Sequence, residues 1–204
     1  MAERGATRWV TDNDAGHSRA YVARFRKLAA DGADLEGEAR LLDAMIPRHS
    51  RVLDAGCGTG RTGAALAGRG HDVVGVDADP LLIEAAAADH PGPRWIHADL
   101  ASLDLPALGV REPFAAAVLA GNVLVFVQPG TEAAVLERIT RHLIHDAVIV
   151  LGFATDRQYQ VRDLDRDAFA IGLDVEHRFA TWGLRPWRAD SPFAVTVLRT
   201  RVAS

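Results

Sequence analysis

The 204-residue chain has one cysteine, two methionines and two tyrosines, and Lys27 is its one lysine. A lone cysteine excludes an internal disulfide and any cysteine-based metal cluster, and Cys57, between Gly56 and Gly58, is expected to serve backbone geometry rather than thiol chemistry. With arginine supplying nearly all of the 23 basic residues against 27 acidic ones, the net charge is −4 and exerts no overall pull toward nucleic acid or an anionic membrane. No apolar run approaches the ~18 residues of a membrane-spanning helix. The stretch MAERGATRWVTDND lacks the apolar segment of a secretory signal, so a cytoplasmic protein with no membrane partner is expected. The eight histidines are scattered, with neither H-x-x-x-H spacing nor a carboxylate cluster, and no metal site is expected.

What is present suits one domain of 1–204. Hydrophobic residues make up 49% and charged residues 25%, the balance of a globular protein. A chain of this size can bury roughly 70% of its unfolded surface without disulfides or metals. Residues 1–16 are polar and without a clear period, and read as a flexible arm. From His17 to Ala30, Tyr21, Val22, Phe25 and Leu28 recur at helical spacing. A second helix is expected over Leu35–Ile46, capped by Asp34 and ended by Pro47.

The organising stretch runs from Arg51 to Leu100. A strand, Arg51–Asp54, enters Gly56, Gly58 and Gly60, and an alanine-rich helix follows. A second strand ends on Asp77, about twenty residues past the first glycines, where a ribose-binding acid belongs. Asp79-Pro80 opens the next helix and a third strand ends on Asp99. This is βαβαβ with connections short enough for parallel strands and right-handed crossovers. Another unit follows, with strand Phe114–Leu119, the sequence Ala120-Gly121-Asn122, a helix over Thr131–Leu143 and strand Ala147–Phe153. The tail holds a short helix over Asp165–Ile171 and two strand-like runs, Val175–Trp182 and Phe193–Val202, which read as an antiparallel hairpin at a sheet edge.

Gly58, Gly60 and Gly63 also fit the dinucleotide pattern G-x-G-x-x-G, so an NAD(P)-dependent oxidoreductase is one reading. Asp54 and Gly56 weigh against it. A carboxylate near a pyrophosphate would be opposed by several kcal/mol at moderate dielectric, whereas an ammonium or sulfonium would be attracted.

With DAGCGTG after the first strand, Asp77 after the second and Asp99-Leu100 after the third, the chain resembles the class I S-adenosylmethionine-dependent methyltransferases over residues 38 to about 153. The resemblance implies a three-layer α/β/α sandwich with a Rossmann-like sheet of order 3-2-1-4-5-7-6, strand seven antiparallel, residues 51–204 forming the core and 17–47 a helical lid. It implies S-adenosyl-L-methionine as cofactor. Asp77 would accept hydrogen bonds from the ribose hydroxyls and Asp99 from the adenine amino group. Leu100 would offer its amide and Ala78 would pack on the ring. Ala55, Gly56, Cys57, Gly58 and Gly60 would form the turn beside the methionine part, with Asp54 near its amino group. Ala120, Gly121 and Asn122 would lie beside the sulfonium, and Tyr21 and Arg24 would close the site, Arg24 reaching the methionine carboxylate. The reaction implied is in-line methyl transfer. AGNVLVFV after strand four lacks the Asn-Pro-Pro-Tyr signature of amino-methylating enzymes, so a small-molecule acceptor is favoured. Tyr21, Asn122, Phe126, Gln128, Arg157, Tyr159 and Trp182 are candidates for the acceptor side, and His17 and His97 for a base. A non-catalytic cofactor-binding module is a third reading.

Overall fold

The computed structural model describes residues 7–12 and 15–201. Seven strands form one sheet of order β3-β2-β1-β4-β5-β7-β6, namely β1 (Arg51–Ala55), β2 (Asp72–Asp77), β3 (Arg94–His97), β4 (Phe114–Leu119), β5 (Leu143–Ala154), β6 (Leu173–Phe179) and β7 (Phe193–Thr200). Strands β1 to β5 pair in parallel, and β7 lies antiparallel between β5 and β6. The expected strand order and the antiparallel tail hairpin are both present.

Alternation along the strands makes two buried layers, because successive side chains point to opposite faces. Val52, Val73, Ala116, Val118, Val148 and Val150 face α3 (Gly37–Met45) and α4 (Arg61–Gly68). Leu53, Val74, Ala117 and Ile149 face the other way, against α7 (Glu132–Thr140) and α8 (Val161–Ala170). Helix α5 (Pro80–Asp89) begins as the sequence predicts, with Asp79 accepting from the Leu81 amide at 2.9 Å and Pro80 in the first position.

Differences fall at element ends: α7 stops at Thr140 and β5 begins at Leu143, where a helix to Leu143 and a strand from Ala147 are expected, and β6 spans Leu173–Phe179 rather than Val175–Trp182. α3 is capped at Glu36 rather than Asp34, because Asp34 instead accepts from the Glu36 amide in a turn before the helix. α8 starts four residues earlier than the apolar pattern suggests, since Asp163 accepts from the Gln160 amide and fixes its first turn. The apolar run VLVFV forms a short helix, α6 (Val123–Phe126). Of the arm expected over residues 1–16, residues 1–6, 13 and 14 lie outside the described residues. Within it Arg8–Thr11 form a helical turn, α1, held by side-chain bonds to the core. α2 spans Ala15–Ala30 and carries Lys27, paired with Asp31 at 2.7 Å and 75% exposed.

Candidate active site

At the C-terminal ends of β1 to β4 the loops enclose a cavity of about 520 Å³, within the range of small-ligand sites. The turn after β1 contributes Gly56 and Gly58, the end of β2 Asp77 and the following Ala78, the segment after β3 Asp99 and Leu100, and the segment after β4 Ala120, Gly121 and Asn122. Tyr21 and Arg24 enter from α2. Eleven of the fifteen expected cofactor-side residues therefore share one wall.

Asp77 has two structural partners. Its carboxylate accepts from the Gly58 amide at 2.8 Å and from the Asp79 amide at 2.9 Å, which ties the glycine turn to the end of β2. Burial pushes its pKa up, and these amides offset part of that rise. Asp99 accepts from the Ala101 amide at 2.8 Å and caps the 3-10 turn Leu100–Ser102. Tyr21 lies over the turn: a Cβ built on Gly58, whose φ is +56°, would stand 3.7 Å from its hydroxyl.

Ala55, Cys57, Gly60 and Asp54 do not reach the wall. Ala55 is in the core. The Cys57 amide donates to Val76 and the Gly60 amide to Cys57. The reason for Gly60 is steric. A Cβ there would stand 2.8 Å from Trp95, one at Gly63 would stand 2.9 Å and one at Gly75 2.2 Å from the same indole. Three glycines make a bed for one side chain of β3, which donates from its indole nitrogen to His90 O at 2.8 Å. Two of the three glycines in the literal dinucleotide pattern are thus committed to packing.

Asp54 is 1% exposed. Its Oδ2 accepts from the Gly63 amide at 2.8 Å, whereas Oδ1 is buried without a partner. Burial raises its pKa to about 7, against the pull of the Gly63 bond. The folded state then holds a proton that the unfolded chain has released, so stability falls as pH rises from about 4 to about 7 and levels off above. Asp54→Asn removes that titration. The stability advantage of the variant over the parent is expected to widen with pH across this window by up to about 4 kcal/mol. Melting temperatures of both proteins at pH 4.5 and pH 8 check it, and a pH-independent difference would contradict it.

Sequence reasoning missed α1. Trp9 donates to Asp79 Oδ2 at 2.9 Å, Ser18 donates to the same oxygen, and Thr7 donates to Phe126 O. Arg8 reaches Gln158 at 3.2 Å. The Trp9 ring meets His17, Tyr21 and Phe126 edge-on, at centroid distances of 5.0, 5.2 and 5.3 Å. Thr7, Trp9, His17 and Phe126 all line the cavity, so α1 straps its mouth from β2 to α6. The one available signal was a tryptophan in an otherwise polar stretch. Behind α2, Arg61 pairs with Glu38, donates to Leu35 O at 2.6 Å and stacks 5.3 Å over Phe25.

Of the acceptor-side candidates, Tyr21, Asn122 and Phe126 are on the wall. Tyr159 is buried and donates to Asp167 at 3.0 Å, Trp182 packs over Gly152 beside Phe193, and Arg157 pairs with Asp156. Gln128 is half-buried outside the cavity. His97 is within 3.0 Å of Ala78 O and also off the wall. Among the described residues no group of three or more His, Cys, Asp or Glu could hold a metal, and no helix is long and apolar enough to cross a membrane.

A family model described as a methyltransferase domain matches residues 52–146. A solved TehB-like SAM-dependent methyltransferase from Corynebacterium glutamicum is 41% identical, with a TM-score of 0.85, over 93% of this chain and 100% of that one. An uncharacterized methyltransferase of Mycobacterium tuberculosis is 46% identical over 72 residues, 34% of this chain and 36% of that protein. The magnesium-protoporphyrin O-methyltransferase of Rhodobacter capsulatus is 64% identical over 68 residues, 32% of this chain and 30% of that protein. The matched segment thus spans about a third of these curated relatives.

Proposed function

Because the chain belongs to the class I S-adenosylmethionine-dependent methyltransferases, we propose that it transfers a methyl group in line from that cofactor to a small-molecule acceptor. The observation that carries this reading is the single wall on which Gly56, Gly58, Asp77, Ala78, Asp99 and Leu100 meet the β4 segment Ala120–Asn122.

The residues fit the cofactor. Gly121, at φ +80°, leaves open space where a Cβ would stand, so backbone can approach a ligand closely. Asp77 would hold the ribose hydroxyls, Asp99 and Leu100 the adenine edge, Ala78 the ring face, and Arg24 the carboxylate by charge-assisted bonds. When bound, S-adenosylmethionine supplies an already activated methyl electrophile. What remains for the chain is to hold the acceptor atom about 3 Å away and aligned, and to exclude water. Tyr21 over the glycine turn and α1 across the mouth serve that exclusion. The Rhodobacter relative, named for a porphyrin, and a ubiquinone biosynthesis O-methyltransferase of Saccharophagus degradans, 33% identical over 89 residues, are in keeping with this.

Binding separates this reading from a nicotinamide cofactor. Ligand at 100 times its dissociation constant adds about 2.7 kcal/mol, which for a chain of about 200 residues raises the melting temperature by roughly 5 to 10 °C. S-adenosylhomocysteine is expected to give that rise and NAD none. The reverse result would sink the proposal.

A further inference from the structure

Once the residues at the ends of β1, β2 and β3 are given to the cofactor, the remaining wall lies beyond β4. It consists of Thr7, Trp9, His17, Val123, Phe126 and Val127. Among the described residues this half carries no carboxylate, lysine or arginine. The charged groups of the cavity, Arg24, Asp77 and Asp99, lie on α2, at the end of β2 and after β3, and none is on the strap or on α6.

The polar atoms of this wall are largely spent inside the protein. The Thr7 hydroxyl donates to Phe126 O and the Trp9 indole nitrogen to Asp79. The neighbouring Asn122 Oδ1 accepts from the Ala154 amide at 2.7 Å. What faces the cavity is therefore the aromatic surface of Trp9 and Phe126, two valines and the His17 imidazole, which meets Trp9 edge-on. A charged molecule placed there would lose its hydration with no carboxylate, lysine or arginine of the wall to pair with, whereas a flat apolar one could lie against the rings.

We infer that the acceptor is a flat, uncharged, largely apolar ring compound, and that Trp9 is the residue that selects it. The inference rests on the cofactor assignment above. Trp9 is suited to this task because it is fixed at both ends. Its nitrogen is anchored on Asp79 beyond β2, and its ring reaches Phe126 of α6. Its ring plane is set by that anchor, so shape and not hydrogen bonding discriminates among acceptors. Asp79 acts through Trp9 as a positioning residue.

The test uses the whole chain saturated with S-adenosylhomocysteine and titrated calorimetrically with 2-naphthol, 2-naphthoate and cyclohexanol. Saturable one-to-one binding of 2-naphthol is expected, with 2-naphthoate and cyclohexanol weaker by about tenfold or more, as loss of a charge-free or aromatic contact implies. Trp9→Ala should weaken 2-naphthol by about tenfold and leave S-adenosylhomocysteine within about threefold. Trp9→Phe, which keeps a ring but loses the Asp79 anchor, should fall between the parent and Trp9→Ala in 2-naphthol affinity, and an affinity equal to the parent's would overturn the positioning role of Asp79. Naphthoate binding as tightly as naphthol overturns the inference. So does 2-naphthol binding that Trp9→Ala leaves unchanged. A protein that holds S-adenosylhomocysteine but not 2-naphthol refutes the acceptor inference alone. Failure to hold the adduct refutes the cofactor reading and this inference with it.

Discussion

Asp77→Ala is expected to lower affinity for S-adenosylhomocysteine by about 10- to 100-fold and, at the same time, to destabilise the unliganded protein by about 1 to 3 kcal/mol. Both losses come from one carboxylate. Toward the ligand, its removal leaves ribose hydroxyls without acceptors, a cost of about 1 to 3 kcal/mol. Toward the protein, it frees the Gly58 and Asp79 amides, which it holds at 2.8 and 2.9 Å. Asp79 in turn receives Trp9 and Ser18, so the loss loosens the seat of the strap as well as the turn. Asp77→Asn separates the two roles, since an amide oxygen still accepts one backbone bond and one hydroxyl. It should be intermediate in both measurements. Calorimetric titration together with urea unfolding of the parent and both variants checks the prediction, and an Asp77→Ala protein of parental affinity would remove Asp77 from the ligand site.

Gly75→Val is expected to destabilise the fold by about 3 kcal/mol, at the upper end of the cost of overpacking. Valine suits a strand, so local propensity alone favours the change. Packing opposes it, because the new Cβ would stand 2.2 Å from the Trp95 ring, which is backed by Gly60 and Gly63 and cannot retreat toward them. The cycle with Trp95→Ala isolates this contact. Trp95→Ala alone leaves a void, but in the double variant the valine fills part of it, so the two losses should fall short of additivity by about 1 to 3 kcal/mol. Strict additivity would mean that the indole is not the obstacle.

The core of the fold was legible because three independent signals coincide between Arg51 and Leu100. Strand composition, a glycine turn and two acids at strand ends agree on one parallel sheet, and the observed order follows. Helix ends were less legible, since a cap such as Asp163 on Gln160 is a local bond that apolar spacing does not register. Asp77, Asp99 and the β4 segment meet on one wall because chain topology brings strand ends together whatever their side chains do. Gly60 lies off that wall for the converse reason: glycine marks close approach without saying what approaches, and here it is Trp95. The strap was hidden because its four residues, Arg8–Thr11, are too short for a helical period. Its position depends on Asp79 and Phe126, about 70 and 119 residues away.

Lys27 makes motion at the mouth open to direct labelling. It is the one side-chain amine of the chain, it sits 75% exposed on α2, and the single thiol, Cys57, is buried and will not compete for a reagent. An amine-directed fluorophore or spin label therefore has one side-chain target besides the chain's α-amine, on the helix that carries Tyr21 and Arg24, and the label there follows its movement against the sheet as ligand is added.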